Sequence, residues 1–554
     1  MLCSFCFLLA ALDRQHNQSV GNRVKFMVFR NFFILLGLVL SAVLLLAGEA
    51  WPLANWAWFF IGPLFLIGIH DLIQNKHTLL KIYPVIGHFR YMFESVRGEL
   101  QQYFVESDLD GAPISREFRS LGYQRAKKDN DTRAFGTIFD VYRDGYEWVD
   151  HSVAPRECVP ENLRVRFGGA DCVKPYDASP LNISAMSYGA LSRNAVMALN
   201  RGAKIGNFSH NTGEGGISEW HLEYGGDLVW QIGTGYFGCR TSQGKFDAGL
   251  FAEQAFRDEI KMIEIKLSQG AKPGHGGLLP AAKLTEEIAR IRMVPMGEDV
   301  LSPPGHSAFS TPVELLQFVA ELRKLSQGKP VGFKLCPGNR REFLGVCKAM
   351  LETGLLPDFI TVDGGEGGTG AAPVELTNSV GMPLRDGLHF VNNALRGIGV
   401  RDKIRIIASG KAFSAFHMLR MMALGADTVN SARGMMLALG CIQSRSCNTD
   451  KCPTGITTQN PARYKQLDVT DKGVRVANYH HSSIETLAEL LSIIGKDRLE
   501  DLEPADIQRR VSQGSVLNYA ELYPRIDAGC LLHKDCAPDA WANDWRQAMA
   551  DRWR

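Results

Sequence analysis

Between about residues 180 and 495, short β-branched runs alternate with amphipathic helical stretches. No other feature of the chain narrows its possible folds so far. The runs fall at 181–185, 228–232, 262–266, 331–335, 359–363, 404–409 and 428–431. Parallel strands are joined only through long crossovers, so strand and helix in repeated alternation read as a parallel sheet. Its length and strand count favour a closed eight-stranded parallel β/α (TIM) barrel over an open sheet. Helix starts are legible in the connections. Thr311 can cap, Pro312 suits the first helical position and Glu314 closes a capping box before LLQFVAEL. Ser482 with Glu485 predicts another start.

Glycine is abundant, at 55 of 554 residues, and it is clustered where the strands end. SAMSYGALS (184–192), NTGEGG (211–216), KPGHGG (272–277), VDGGEGGTGAAP (362–373), ASGK (408–411) and NSARG (430–434) recur in that position. In a β/α barrel chemistry sits at those ends, and exposed backbone N–H groups there cradle anions. The last two strands are the usual phosphate site, which makes Ser409, Gly410, Lys411, Arg433 and Gly434 the phosphate candidates. Lys334 ends the apolar strand Val-Gly-Phe-Lys-Leu. It either snorkels to water or offers a cation to a reduced flavin ring or a substrate carboxylate.

Twelve cysteines are too few for a disulfide scaffold in a chain this long, and Cys239, Cys336 and Cys347 sit singly among apolar residues as small hydrophobes. Cys441, Cys447 and Cys452 differ. In GCIQSRSCNTDKCPTG they have the spacing C-x5-C-x4-C, with Pro453 after the last. Three thiolates leave tetrahedral zinc one ligand short and suit an iron–sulfur cluster lacking one corner iron; three unliganded thiols are the other reading. Cys530 and Cys536 repeat the x5 spacing in the tail and have no expected role.

The amino-terminal part reads differently. Two apolar runs, 32–47 and about 51–69, each approach the roughly 17 residues needed to cross a bilayer. Arg23, Lys25 and Arg30 precede the pair, Lys76, Lys81 and Arg90 follow it, and the connection carries only Glu49, so both ends are expected in the cytoplasm. Trp51, Trp56 and Trp58 suit an interfacial belt at the hairpin tip. A cleaved signal peptide and a buried core hairpin are the alternatives. Met27, directly before the first run, is a second candidate for the translation start. A formal net charge of +2 gives no case for a nucleic-acid partner. The expected plan is an N-terminal extension (1–30), a transmembrane hairpin (31–70), a cytoplasmic lead-in packed on the barrel (71–179), the barrel with its cysteine motif (180–500) and a C-terminal tail (501–554).

Together SAMSYGALS, NTGEGG, KPGHGG, LSPPGH (301–306), GGTGAAP and LGCIQSRSCNTDKCPTGITTQ resemble the FMN-binding domain of glutamate synthase over about 180–495. The resemblance implies a barrel holding FMN, with flavin contacts at Ala185, Met186, Ser187, Gln231, Lys334, Gly410 and Arg433. It also implies a 3Fe-4S cluster on Cys441, Cys447 and Cys452. In that family reduced FMN passes hydride to 2-iminoglutarate, formed from 2-oxoglutarate and ammonia, to give L-glutamate. Lys334, Asp363, Glu366 and His275 are the catalytic candidates, the last three as proton donors or acceptors. Two departures bear on the substrate: His275 replaces a usual glutamate in KPGEGG, and Val-Asp-Gly-Gly-Glu (362–366) replaces Ser-Gly-His-Asp. The sequence offers no nucleophilic N-terminal cysteine of the amidotransferase type, and no G-x-G-x-x-G opens a βαβ unit for NAD(P)H. Ammonia and electrons are therefore expected from outside, the electrons from ferredoxin or a reductase subunit. The expectation is a membrane-anchored glutamate synthase-like oxidoreductase with a cytoplasmic catalytic domain, at the inner membrane in a bacterium. An FMN and iron–sulfur oxidoreductase acting on another 2-oxo acid, imine or amine, and a membrane-tethered electron-transfer module, are the alternatives.

Overall fold

The computed structural model describes residues 31–533 and 536–553. The Met27 start and the cations at Arg23, Lys25 and Arg30 lie outside them. The chain forms two compact units, divided after Ser107.

In the first unit, helix α1 (Asn31–Ala50) and helix α2 (Trp58–Ile73) are joined by a short 3-10 helix, Pro52–Ala57. Both spans, the second counted from Pro52, are long and apolar enough to cross a membrane. They pack through reciprocal small-for-large contacts: a Cβ on Gly37 would strike the Phe65 ring, and one on Gly68 would strike Phe33. The Phe33 and Phe65 rings stack with centroids 5.9 Å apart. Small residues opposite large ones are how helices approach closely where water gives no hydrophobic drive between them. Trp51 and Trp56 at the tip are 68% and 67% exposed. Helix α3 (Gly87–Leu100) follows a short turn of helix.

The second unit is built on a closed barrel of eight parallel strands in sequential order. These are β1 (Leu181–Ile183), β2 (His210–Asn211), β3 (Leu228–Ile232), β4 (Ile260–Lys266), β5 (Val331–Leu335), β6 (Phe359–Asp363), β7 (Arg405–Ser409) and β8 (Thr428–Ser431). Strand β8 closes on β1 with Val429 opposite Leu181 and Ser431 opposite Ile183. Seven strands fall on the expected runs. The eighth, β2, is two polar residues long and leaves no run to read.

Helices α4 (Arg193–Gly206), α5 (Ala248–Ala255), α6 (Pro312–Leu325), α7 (Arg340–Thr353), α8 (Leu384–Gly397), α9 (Ala415–Ala423) and α10 (Val469–Ile493) are the main helices of this unit. Thr311 Oγ1 accepts from Glu314 N at 3.1 Å, as its sequence predicts, while the Glu314 carboxylate accepts from Ser310 N at 2.6 Å. Ser482 begins no helix. Helix α10 starts fourteen residues earlier, where Asp468 accepts from Asp471 N at 2.8 Å. The polar serines inside it bond back along the helix, Ser483 Oγ donating to Tyr479 O at 2.7 Å. Helices α4 and α10 cross closely because a Cβ on Gly202 would meet the Val476 side chain.

Segments on both sides of the barrel sequence are stitched onto it. Strand Glu147–Val149 pairs antiparallel with Ile507–Ser512. The buried Glu147 carboxylate takes Arg385 of α8, Arg420 of α9, Arg509 (3.1 Å) and the Tyr519 hydroxyl (2.9 Å). Burial alone would raise this carboxyl, but the guanidiniums hold it below the ordinary range. In the tail, Cys530 and Cys536, which the sequence left without a role, are joined as a disulfide.

Candidate active site

A cavity of ≈ 220 Å³ opens at the carboxyl ends of the barrel strands. The glycine clusters are its walls. Ala185, Met186 and Ser187 follow β1, Gln231 lies on β3, Lys334 on β5 and Asp363 at the end of β6; all line it. Ser409, Gly410 and Lys411 after β7 and Arg433 after β8 complete the side expected to take phosphate. Gly410 packs closely on α8, where a Cβ would meet Leu384 Cδ2 at 2.6 Å and push that side chain aside. Gly368 lies flat on the Arg433 guanidinium, which a Cβ would strike. Gly434 stands behind the wall, against Tyr479 and Ser431, and does not line the cavity. Backbone N–H groups, a hydroxyl, a lysine and an arginine make a donor set that suits a phosphomonoester.

The inner part is an ionic network on neighbouring strands. Lys334 Nζ lies 3.3 Å from Asp363 Oδ2, which also accepts from Gly270 N at 2.9 Å. Glu264, on β4, is buried and accepts from Asn211 Nδ2 (2.8 Å), Gln231 Nε2 (2.6 Å) and Thr361 Oγ1 (2.6 Å). Burial alone would discharge the Lys334 ammonium, but Asp363 and Glu264 raise its pKa above the ordinary lysine value. Lys334 therefore does not snorkel. Glu264 escaped the sequence reading although it carries the same signal as Lys334, an ionisable residue inside an apolar strand.

At the outer side Glu214 pairs with Lys266 at 2.9 Å. Burial opposes the Glu214 charge, and Lys266, Arg292 and Lys272 outweigh it, holding the carboxyl below its ordinary range. Lys272 is lowered by burial, and burial brings Arg292 down to about 10. These four were missed as individuals, though Glu214 and Lys272 sit inside the NTGEGG and KPGHGG motifs.

Two catalytic candidates fall outside the cavity lining. His275 is exposed, its Nδ1 2.9 Å from Gly276 O, because the turn at Gly274 (φ +73°) carries it outward. Glu366 accepts from Leu384 N at 2.9 Å and so caps the start of α8, a position where a carboxylate also meets the positive end of the helix.

Cys447 lines the cavity, and the loop that carries the cysteines is braced from several sides. Tyr123 Oη donates to Cys441 O at 2.6 Å. The buried Lys283 ammonium donates to three carbonyls, Ala190 (3.3 Å), Cys447 (3.0 Å) and Thr457 (2.9 Å), tying the loop after β1 to both arms of the cysteine segment. Among the described residues no three His, Cys, Asp or Glu side chains gather as they would on a single metal ion. The cysteines are still near enough to interact: burial pushes the Cys441 thiol up to about 11, with Cys447 and Cys452 adding to the rise. Burial opposes ionisation of Cys452 too, but hydrogen bonds from Thr454 and Thr457 bring it down to about 7. A soft, all-sulfur donor set with one thiol near neutrality fits an iron–sulfur cluster, which is wider than one ion and needs no convergence on a point.

Fold and site together define a β/α-barrel protein with a cation-rich cavity beside a cysteine loop. A family model described as a conserved region in glutamate synthase matches residues 171–497, and the chain belongs to that family. It is 36% identical over 512 residues to the glutamate synthase large subunit-like protein YerD of Bacillus subtilis (strain 168), covering 85% of this chain and 95% of that one. It is 35% identical over 325 residues both to the archaeal-type glutamate synthase (NADPH) of Thermotoga neapolitana and to the archaeal glutamate synthase (NADPH) of Methanocaldococcus jannaschii. Those matches cover 58% of this chain and 61% and 60% of the two relatives.

Proposed function

We propose that the chain is a glutamate synthase-like flavin oxidoreductase that reductively aminates 2-oxoglutarate, by way of 2-iminoglutarate, to L-glutamate. The observation that carries this reading is the charge of the cavity, lined by seven basic side chains and two carboxylates. A phosphate-bearing cofactor and a dicarboxylate substrate together bring the negative charge such a surface calls for. Family membership supports the same chemistry. In balance, 2-oxoglutarate, ammonium, two electrons and two protons become L-glutamate and water, with ammonia and electrons delivered from outside the barrel.

When bound, FMN supplies hydride transfer and a 3Fe-4S cluster on Cys441, Cys447 and Cys452 supplies single-electron transfer. Ser409, Gly410, Lys411 and Arg433 would hold the phosphate, and Ala185, Met186, Ser187 and Gln231 the rest of the cofactor. Lys272 and Arg292 offer charge to the substrate carboxylates. Lys334 keeps its proton at neutral pH and supplies positive charge where negative charge develops. Asp363, bonded to that ammonium, is the carboxylate placed to move a proton toward the imine nitrogen. Of the two departures from the family pattern, His275 and Glu366 lie outside the cavity lining, while Asp363 of the 362–366 stretch lines it and is the position that bears on substrate choice.

The test is turnover of 2-oxoglutarate plus ammonium under an artificial low-potential reductant, read as glutamate by mass spectrometry. Glutamate that requires both compounds is the expected result. Reduction of other 2-oxo acids or imines in place of 2-oxoglutarate would overturn the substrate, and cofactor reduction without any amination would leave an electron-transfer module.

The same reading makes α1 and α2 a membrane anchor with both ends on the cytoplasmic side. Full-length protein should leave the membrane fraction only with detergent, and a chain lacking residues 1–75 should be soluble and flavin-loaded. Full-length protein that stays soluble without detergent would remove the anchor.

A further inference from the structure

We propose that residues 87–105, helix α3 and the turn that continues it, lie in the boundary between headgroups and acyl chains of an anionic bilayer. The proposal rests on the membrane-anchor reading of α1 and α2. Its basis is a stripe. Ile86, Phe89, Phe93, Val96, Leu100 and Phe104 recur at steps of three and four, which sets them along one side of a helix. All six are between 40% and 82% exposed. A face this apolar, left to water over some five turns, marks an interaction surface.

Three observations favour lipid as the occupant. The first is continuity: Phe89 and Met92 share with Leu64 and Ile67 of α2 an apolar groove of ≈ 640 Å³, so the stripe runs into the outer surface of the hairpin. A bilayer that takes up α2 takes up the stripe with it. The second is charge. Lys76 and Lys81, in the connection before the stripe, and Arg90 and Arg97, along its border, outnumber Glu94, 3.7 Å from Arg97, and Glu99 on the same helix. Arginine and lysine stems can follow the apolar surface while their charges reach lipid phosphates. The third is rigidity. The buried Asp71 carboxylate, near the end of α2, accepts from Val85 N at 2.9 Å and from His88 Nε2 at 2.9 Å. These bonds fix the direction in which α3 leaves the hairpin, before any lipid is present.

The test uses the full-length protein in vesicles of equal parts phosphatidylcholine and phosphatidylglycerol, with a lipid-phase diazirine probe and adducts mapped by mass spectrometry. Expected are adducts on Phe89, Phe93, Leu100 and Phe104 alongside those on α1 and α2, none on Ser95, and a several-fold loss over 87–105 in phosphatidylcholine alone. Phe93→Glu combined with Phe104→Glu should abolish labelling of 87–105 and spare that of the hairpin. A labelled hairpin with an unlabelled α3, or crosslinks of 87–105 to the barrel or to a second copy in place of lipid adducts, would overturn the proposal. Undiminished labelling in neutral vesicles would overturn the anionic requirement. Absence of label from α1 and α2 themselves would remove the anchor reading, and the proposal with it.

Discussion

Lys334 Nζ and Asp363 Oδ2 stand 3.3 Å apart on adjacent barrel strands, both buried and both facing the cavity. Burial alone would discharge the Lys334 ammonium, and Asp363 contributes most among the charges that keep it protonated. Breaking such a pair from one side costs about 3–5 kcal/mol because the remaining charge is left desolvated. Lys334→Met should therefore lower unfolding free energy by an amount in that range and suppress glutamate formation strongly. Lys334→Met with Asp363→Asn should recover most of the stability and none of the turnover. Stability restored together with activity would remove the pair from the chemistry.

Arg433 is expected to hold the cofactor phosphate. Arg433→Ala loses a charge-assisted bond of about 1.5–3 kcal/mol, which is roughly a 10- to 150-fold rise in the FMN Kd. Gly368→Ala should weaken FMN in the same direction without deleting a charge, because its Cβ needs the space the guanidinium occupies. Equilibrium titration of the flavin-free protein measures both, and unchanged affinity in the two variants would place the phosphate elsewhere.

Native protein prepared without oxygen should carry about three irons per chain, since three thiolates leave the fourth corner of a cubane unheld. Cys447→Ser should lose iron and keep the barrel. Lys283→Met, with no change of ligand, should also lower iron retention, because the cysteine segment loses its tether to Ala190, and Lys283→Arg should retain more. Zinc in place of iron would reject the cluster.

The depressed carboxyl of Glu214 gives a pH signature in flavin-free protein. A carboxylate whose folded pKa lies below its unfolded one stabilises the fold fully above the unfolded value, and loses that contribution as pH falls through the folded value. Glu214→Gln should be less stable than the parent at neutral pH by denaturant unfolding. The gap should narrow steadily once the pH drops below about 4.3, the ordinary glutamate value. A gap independent of pH would mean that Glu214 is held by packing and not by Lys266.

The barrel was legible because its strands are apolar runs with period and length of their own, and the cavity wall after β7 and β8 because glycine, serine, lysine and arginine recur at two successive strand ends. Strand β2 was not, since His210 and Asn211 are held by neighbours on both sides and by no pattern of their own. Glu366 read as a catalytic acid from its place beside glycines. Only the fold reveals that the chain turns back so that Leu384, 18 residues on, sets the first turn of α8 over its carboxylate. Ser482 misled for a related reason: serine marks helix starts when its hydroxyl turns to free N–H groups, and here the neighbouring hydroxyls turn to carbonyls within α10.

The Glu147 knot sets a schedule for synthesis. Its carboxylate is buried against arginines that leave the ribosome long after it, and Arg509 trails it by 362 residues. At about 5–20 residues per second, roughly 20 to 70 seconds separate the two. During that interval strand Glu147–Val149 has no partner strand and its acid only part of its counter-charge. A growing chain thus holds this acid only partly neutralised until the barrel sequence is complete, and a strand made after the barrel locks one made before it.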